Sequence, residues 1–340
     1  MSSGQLPAVW LPAIRAGSGS DRFTKALCEG LNTFGVRAEV TWLPLRAEYA
    51  PWTVHVPRPP KWANLVHANS WLHPRFLPSG LPLLLTVHHG IHHPDALAWK
   101  DWRRATYHRH WILRLERRSL QRAGAVVGVS HFVAETARRT ILDRPIEVIH
   151  NGVDTRSFAP ATRVSQSDGP FKLLYVGSWR QAKGVELLPQ IMRNLGEGYE
   201  LRYTREAANR GRMNMPPNTF DLGRLEGDDA VVAAMNDADA FVFPSLTEGF
   251  SLAVIEAMSC GLPVIASDIP ALAESVEHGR TGYLCPKDQP AAFVSAIREL
   301  AGQPELRSAM GTAARERVLK NFSVEGMVRS YVERYKALLG

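Results

Sequence analysis

The sequence predicts an α/β protein built from two doubly wound, Rossmann-like parallel-sheet domains that face each other across a cleft. Three observations support this class. The 340 residues suit two domains better than one. Continuous Val- and Leu-rich runs alternate with amphipathic helical patterns, as expected for strands that are buried on both faces. A polar segment interrupts the alternation near the middle of the chain, and the same alternation then starts again.

The first half begins with an apolar strand, "AVWLPAI", and the small-residue loop "RAGSGSD". Phe23, Leu27 and Leu31 then recur at helical spacing, and "RAEVTWLPL" restores a strand. Three further buried strands are predicted in "ANLVHANS", "LPLLLTVHHG" and "AGAVVGVSHF". Each run ends in polar or glycine residues, which predicts loops at one edge of a parallel sheet.

A domain boundary is predicted where the apolar segment 146–149 gives way to a polar stretch and a Ser/Gln/Asp/Gly linker. The second half then supplies strands in "FKLLYVG", "ELRYT", "NTFDLG", "DAFVFPS", "LPVIASD" and "GYLC". We therefore predict one domain over residues 1–155 and another over residues 156–322. The last helix, at about 323–340, is expected to pack back on the first domain.

Charge is distributed unevenly between the two halves. Residues 1–150 contain 19 Lys and Arg against 10 Asp and Glu, whereas residues 151–340 contain 21 against 23. Eleven of the twelve His and eight of the nine Trp also lie in residues 1–150. This asymmetry indicates that the first domain meets an anionic partner.

The cellular class is predicted from cysteines and apolar runs. Three cysteines without a CxxC pair give no disulfide framework. No apolar run is long enough to span a membrane, and the N-terminal residues do not have the pattern of a signal peptide. A cytoplasmic protein is expected.

Three small-residue loops follow predicted strands and precede helices. They are "AGSGSD", "VGSWRQAKG" and the segment in which Gly249 follows Glu248 and Ser251 caps a helix. Backbone N–H groups at helix N-termini bind anions. Arg180 and Lys183 add positive charge to the second loop, which therefore predicts a phosphate site.

Two glutamates lie eight positions apart, Glu248 in the third loop and Glu256 in the second turn of the helix that follows. Eight helical positions correspond to a rotation of roughly 80°, so the two side chains are expected to reach one ligand from different heights. Carboxylates accept hydrogen bonds from hydroxyl groups, which suits a polyhydroxylated ligand beside a phosphate. The apolar neighbours Val254 and Ile255 argue against a solvated Glu256.

These motifs resemble the retaining glycosyltransferases of family 4, which have the GT-B fold. The segment from Pro244 to Leu284 is similar to their donor-site region, and "VGSWRQAKG" to their diphosphate loop. "VIHNGVDTRSFAP" resembles their interdomain connection and "GSGSDRFTKAL" their N-terminal glycine loop. The resemblance spans nearly the whole chain and implies a two-domain GT-B enzyme that uses a nucleotide diphosphate sugar.

The resemblance also implies residue roles. Glu256 matches the glutamate that binds the ribose hydroxyls, Glu248 the glutamate at the transferred sugar, and Lys183 the diphosphate lysine. His88 matches a histidine near the donor sugar, and His89 is the alternative in the same run.

One position departs from the family pattern, because the residue after Gly177 is Ser178 instead of arginine. Arg180 is predicted to substitute for that arginine. Gly19 matches the second glycine of the N-terminal pair, whose first position is Ser18. The other residues that the resemblance assigns to the donor site are Gly177, Gly249, Phe250, Ser251 and Leu252.

The implied reaction moves a hexose (mannose, glucose, a rhamnose-like sugar or an N-acetylhexosamine) to a cell-envelope glycan or lipid-linked acceptor, with retention. The acceptor would belong to lipopolysaccharide, exopolysaccharide or glycolipid synthesis. Lys183, Arg180 and helix N-termini would stabilise the leaving diphosphate. No cofactor or metal is expected.

Three other functions fit parts of the sequence. Nucleotide-sugar epimerases share the fold but lack the glycine-flanked paired glutamates. The isoelectric point near 9.5 permits a nucleic-acid-binding protein, yet no RRM, KH or zinc-finger signature is present, and no nucleic-acid partner is expected. A non-catalytic sugar-binding protein is disfavoured by Lys183, Glu248 and Glu256.

Three further patterns have a structural and a functional interpretation. "HHGIHH" (His88, His89, His92 and His93) lacks the accompanying ligands of a zinc site. Asp237 and Asp239 resemble a metal-binding DxD, but capping or solvation is favoured. The Trp- and Arg-rich segment 99–124 is either a surface helix, packed through Leu113 and Leu120, or a peripheral contact with an anionic membrane.

Overall fold

The computed structural model describes residues 5–161, 169–206 and 213–340, and the chain divides into two compact units. Unit 1 comprises Met1–Gly152 and Val324–Gly340, and unit 2 comprises Val153–Ser323. Each unit is organised around one parallel sheet with flanking helices. The α/β class with two doubly wound sheets, predicted from the sequence, is confirmed.

The strands of unit 1 are β1 (Ala8–Ile14), β2 (Arg37–Leu43), β3 (Leu65–Asn69), β4 (Leu83–Val87), β5 (Ala125–Gly128) and β6 (Glu147–Val148). The helices between them are α1 (Gly19–Thr33), α2 (Pro94–Leu97), α3 (Trp102–Tyr107), α4 (Leu113–Arg122) and α5 (His131–Thr140). The described strands pair in parallel in the order β2-β1-β3-β4-β5-β6. Every residue of β4 and β5 is buried, which explains their continuous apolar runs.

The strands of unit 2 are β7 (Phe171–Tyr175), β8 (Tyr199–Thr204), β9 (Thr219–Gly223), β10 (Ala240–Phe243), β11 (Val264–Ser267) and β12 (Gly282–Cys285). Its helices are α6 (Leu188–Leu195), α7 (Gly227–Asn236), α8 (Leu252–Ser259), α9 (Pro270–Ala273), α10 (Pro290–Gly302) and α11 (Pro304–Asn321). The strand order within the described residues is β9-β8-β7-β10-β11-β12. The direction of winding therefore reverses between β7 and β10, the place where doubly wound sheets bind ligands.

The last helix, α12 (Val324–Leu339), belongs to unit 1 and packs against α1. A Cβ atom at Gly30 of α1 would lie 2.5 Å from a methyl group of Val328, so glycine permits the close approach of these helices. Tyr331 and Tyr335 of α12 are fully buried in the core of unit 1. The chain therefore returns to unit 1 after unit 2.

A buried hydrogen-bond network joins α12 to the sheet of unit 1. The two ring nitrogens of His67 on β3 lie 2.6 Å from the Tyr335 hydroxyl and 2.7 Å from the Thr86 hydroxyl. The Thr86 hydroxyl lies 3.0 Å from that of Tyr331. Burial, and then the neighbouring His88, lowers the pKa of His67 to about 3.

We expect two buried histidines to make unit 1 acid-sensitive. The pKa of His108 is also lowered to about 3, by burial and then by Lys100, whereas an unfolded histidine titrates near 6.5. Below pH 6.5 the unfolded chain therefore binds protons that the folded chain refuses, and stability falls as the pH approaches 3. Between pH 7.5 and 5.5 the loss is about 1.4 kcal/mol for each histidine.

Urea unfolding followed by tryptophan fluorescence measures this loss, because eight of nine Trp lie in residues 1–150. His67→Gln should remove about 1.4 kcal/mol of the pH dependence of the free energy of unfolding between pH 7.5 and 5.5. The exposed His110 is the matched control, and His110→Ala should retain all of it. If the free energy of unfolding depends equally on pH in the parent and in His67→Gln, the lowered pKa of His67 is contradicted.

Among the residues that the structure describes, no helix is both long enough and apolar enough to cross a bilayer.

Candidate active site

The strand-order reversal in unit 2 brings two loops together, one after β7 and one after β10. β7 and β10 pair directly through Leu173 and Leu174. The backbone N–H of Leu246 in the second loop donates to the carbonyl of Ala182 in the first, at 3.0 Å. Residues that are distant in the chain therefore meet at the carboxyl edge of this sheet.

Gly184 allows the two loops to touch. It ends a short 3₁₀ turn, Gln181–Lys183, with a φ of 66° in the left-handed region. A Cβ atom at this position would collide with the carbonyl oxygen of Pro244. Only glycine combines this φ with this close approach.

Lys183 forms an ion pair with Glu248 across the two loops. The Lys183 ammonium group contacts Oε1 of Glu248, and the hydroxyl of Ser245 donates to the same oxygen at 2.8 Å. The side chains are 25% and 6% exposed, respectively. The sequence predicted separate roles for the two residues, and the structure adds that each neutralises the other.

The segment after Glu248 forms the N-terminus of α8. Ser251 caps this helix by accepting a hydrogen bond from the N–H of Val254, and Leu252 is its first, half-buried residue. Gly249 is buried, and the ring of Phe250 packs edge-on against Phe322 at 5.4 Å. The first turn of α8 therefore offers an anion-binding helix end close to Lys183.

Glu256 lies in the second turn of α8 and is 2% exposed. A carboxylate at this depth is costly to desolvate unless it is paired or hydrogen-bonded. Its placement on α8, whose N-terminus adjoins Glu248, agrees with the arrangement expected from the sequence. Its role at a ribose stays a prediction.

The loop after β7 also contains Gly177 and Arg180. The N–H of Gly177 donates to the Thr204 hydroxyl at 3.0 Å, and a Cβ at Gly177 would lie 2.8 Å from the Tyr175 hydroxyl. Arg180 is exposed, and its side chain has no hydrogen-bond or ion-pair partner among the described residues. Its guanidinium group is therefore available to an anion that arrives from solvent.

In unit 1, Gly19 and His88 lie at the carboxyl edge of the sheet. Gly19 is the first residue of α1. In the loop before it, the N–H groups of Ala16 and Gly17 donate to the carboxylate of Asp21 in the first turn of α1, both at 2.9 Å. His88 follows β4, is half-buried, and contacts Phe23 of α1 with ring centroids 4.6 Å apart. Burial, and then His89, lowers the pKa of His88 to about 4, so its ring is neutral at physiological pH.

The remaining sequence motifs have structural partners. Asp237 pairs with Lys172 at 2.8 Å and with Arg202. Asp239 accepts the backbone N–H of Lys172 at 2.9 Å. The two aspartates thus hold β7 to its neighbours through ion pairs and a backbone hydrogen bond, whereas the sequence favoured capping or solvation.

The histidines of "HHGIHH" are directed to different partners. His92 bonds Glu116, and His93 caps α2 by accepting the N–H of Asp95 at 3.3 Å. His88 packs on Phe23. The described contacts therefore hold these three side chains on different partners and do not arrange them as the ligands of one metal ion.

Comparison with known proteins decides the family. The sequence model "Glycosyltransferase Family 4" matches residues 35–157, and the model "Glycosyl transferases group 1" matches residues 161–317. The chain belongs to the family 4 glycosyltransferases of the GT-B fold.

Relatives of this glycosyltransferase include a glycogen synthase of Mycobacterium tuberculosis. It is 28% identical over 293 residues, which cover 81% of this chain and 69% of that protein. The fold is similar to that of the sucrose-phosphate synthase from Thermosynechococcus elongatus, with a TM-score of 0.80 and 22% identity over 98% of this chain and 99% of that one. HepE of Anabaena, solved in complex with UDP, has a TM-score of 0.73 and 16% identity, with 98% and 99% of the chains covered.

The sequence did not single out one buried cluster of this glycosyltransferase. Glu116 of α4 is fully buried and binds Ser70 and His92. The glutamate lies in "LERRS", a charged run that resembles a solvated helix face. The only sequence signal is that Ser70 and His92 both follow predicted strands, whose ends meet at one sheet edge.

Proposed function

We propose that the protein is a retaining hexosyltransferase that transfers a sugar from a nucleotide diphosphate sugar to a cell-envelope glycan or lipid-linked acceptor. The observation that carries the proposal is the Lys183–Glu248 ion pair at the strand-order reversal of unit 2. A cation beside a capped helix end suits a diphosphate, and a carboxylate beside that cation suits sugar hydroxyls. The UDP complex of HepE, a protein of similar fold, supports a nucleotide ligand.

The donor would occupy unit 2. Lys183 and the N–H groups that begin α8 would bind the diphosphate, and Arg180 would add a second positive charge from solvent. Glu256 would accept hydrogen bonds from the ribose. Glu248, released from part of its contact with Lys183, would bind the transferred sugar.

The chemical step follows from charge. The acceptor oxygen attacks the anomeric carbon from the face that the diphosphate leaves, so the configuration is retained. The bond to the diphosphate oxygen breaks with its electron pair, and that oxygen takes the acceptor proton. Lys183 and Arg180 stabilise the negative charge that grows on the leaving group. Preorganised electrostatic stabilisation of this kind makes a large contribution to catalysis.

A thermal-shift screen of UDP-, GDP-, ADP- and dTDP-sugars tests the proposal. A ligand at 100 times its dissociation constant should stabilise the protein by about 2.7 kcal/mol. A smaller shift in Lys183→Ala, with the full shift retained in the exposed control Lys320→Ala, would locate the ligand at the proposed site. A protein that no nucleotide sugar stabilises would not be a transferase of this kind.

Metal independence is a further part of the proposal, because Lys183, Arg180 and a helix end supply positive charge to the diphosphate. We expect turnover with the donor found in the screen to be unchanged after EDTA treatment and dialysis. Loss of turnover that manganese or magnesium restores would contradict this expectation.

We propose that the protein acts in the cytoplasm and contacts an anionic membrane peripherally through unit 1. Trp102 is 73% exposed and Trp52 is 65% exposed, and the guanidinium group of Arg103 lies 5.4 Å from the Trp102 ring centre. Basic groups bind anionic headgroups while indoles enter the interface. Sedimentation with phosphatidylglycerol vesicles, weakened in Trp102→Ala, would support the contact, and equal sedimentation of both proteins would refute it.

A further inference from the structure

Unit 1 contains a buried carboxylate that the proposed donor chemistry does not use. Glu116 of α4 has no exposed surface. The hydroxyl of Ser70 donates to its Oε1 at 2.6 Å, and Nε2 of His92 lies 2.9 Å from its Oε2. Ser70 follows β3 and His92 belongs to the loop after β4, so the cluster lies at the carboxyl edge of the sheet.

The carboxylate of Glu116 fixes the tautomer of a neutral His92 ring. In a neutral ring, Nε2 donates its proton to Glu116, and Nδ1 therefore carries the lone pair. The His92 side chain is 8% exposed, and its bond to Glu116 is its single hydrogen bond among the described residues. Nδ1 is thus an oriented hydrogen-bond acceptor without an assigned partner.

The surroundings of this cluster contain further unused polar groups. The chain forms a π-helical turn at His108–Ile112, a feature that is frequent at functional sites. Nδ1 of His108 and Nε1 of Trp111 are buried without a hydrogen-bond partner among the described residues. His108, which is 3% exposed, packs against the ring of Trp71 at 5.7 Å. Buried groups of this kind cost free energy unless a ligand or water satisfies them.

Two observations place His108 and the loop before His92 beside the cluster. Trp71, which packs against the His108 ring, directly follows Ser70, which donates to Glu116. Lys100 donates to the carbonyl of Ile91 at 2.5 Å and so holds the loop directly before His92. Oriented polar groups beside indole rings match a sugar, which presents hydroxyls at its edge and C–H groups on its face.

We propose that His92 binds a hydroxyl group of a sugar-bearing acceptor, other than the attacking hydroxyl, through Nδ1, and that Glu116 and Ser70 are positioning residues that hold its ring. The inference rests on the proposed transferase function and names the acceptor chemistry of unit 1. His92 accepts a hydrogen bond from that hydroxyl, and the attacking hydroxyl still gives its own proton to the departing diphosphate oxygen.

The test uses the full chain, the donor found by the screen and octyl β-D-glucopyranoside below its micelle concentration as acceptor. The measured quantity is the ratio of transfer to this glucoside over hydrolysis of the donor. Glu116→Gln should lower the ratio at least tenfold, because the new amide donates to Nε2 and moves the ring proton to Nδ1. His92→Phe, which keeps the ring shape, should lower it as much, while the exposed control His110→Ala should leave it unchanged.

Ring ¹⁵N shifts give a readout that a merely structural role would not move. The parent should show the proton of His92 on Nε2, Glu116→Gln should show it on Nδ1, and the glucoside should shift the His92 signals of the parent. An unchanged ratio, an unchanged tautomer, or a parent that does not bind the glucoside would overturn the inference. If no donor is hydrolysed, the proposed function fails separately, and glucoside binding at His92 still decides the inference.

Discussion

Lys183→Ala is expected to lower the single-turnover rate of sugar transfer by about 10²–10³-fold, the range found when comparable electrostatic groups are removed. In the proposed reaction, negative charge grows on the diphosphate as the anomeric bond breaks, so we expect the lysine to contribute more to the transition state than to donor binding. The structure adds a second cause. Without Lys183, the buried carboxylate of Glu248 loses its cation and repels the incoming diphosphate.

The two causes can be separated by measuring donor dissociation constants and single-turnover rates. Glu248→Gln in the Lys183→Ala background should recover donor affinity but not the rate. Arg180→Ala should give a similar but smaller loss of rate, because its side chain is exposed. Lys320→Ala on α11 is the matched surface control. Near-parental turnover of Lys183→Ala at saturating donor would show that the loop is only structural.

Glu256→Gln is expected to weaken donor binding by about 10- to 150-fold, because a hydrogen bond to a charged group contributes roughly 1.5–3 kcal/mol. The carboxylate is 2% exposed, so water cannot replace it easily. Isothermal titration with the correct donor measures the effect. The exposed Glu316→Gln on α11 should bind the donor as the parent does.

A second donor sharpens this experiment. If Glu256 binds the ribose, a nucleotide sugar with a 2′,3′-dideoxyribose should bind parent and Glu256→Gln with nearly equal affinity. An equal loss for both donors would show that Glu256 acts through the fold of α8 instead. Unchanged affinity for the natural donor in a folded variant would exclude the assignment.

The strands could be predicted because their signal is local. "LPLLLTVHHG" contains β4, and "DAFVFPS" contains β10, since a parallel strand buried on both faces must be apolar at nearly every position. The final helix was found for a similar reason. Its apolar residues recur at helical spacing, and Met327, Val328, Tyr331 and Tyr335 are the buried ones.

The segment 99–124 was harder because its helix is not regular. The π turn at His108–Ile112 inserts an extra residue and so rotates the face that follows. The surface-helix alternative placed the packing at Leu113 and Leu120, whereas the buried residues of α4 are Leu115, Glu116, Ser119 and Leu120. A polar residue inside this face has no local signal, because its partners lie on other elements.

The sequence by itself therefore determined the α/β class, the glycine loops and the charged residues that these loops carry. Only the tertiary structure decided which of these charges meet. Lys183 and Glu248 are 65 positions apart, and they pair because β7 lies beside β10 in the sheet. Glu116 meets Ser70 and His92 because β3 lies beside β4. Strand neighbours are chosen by the packing of the whole sheet, whereas strand formation depends on the hydrophobicity of a few adjacent residues.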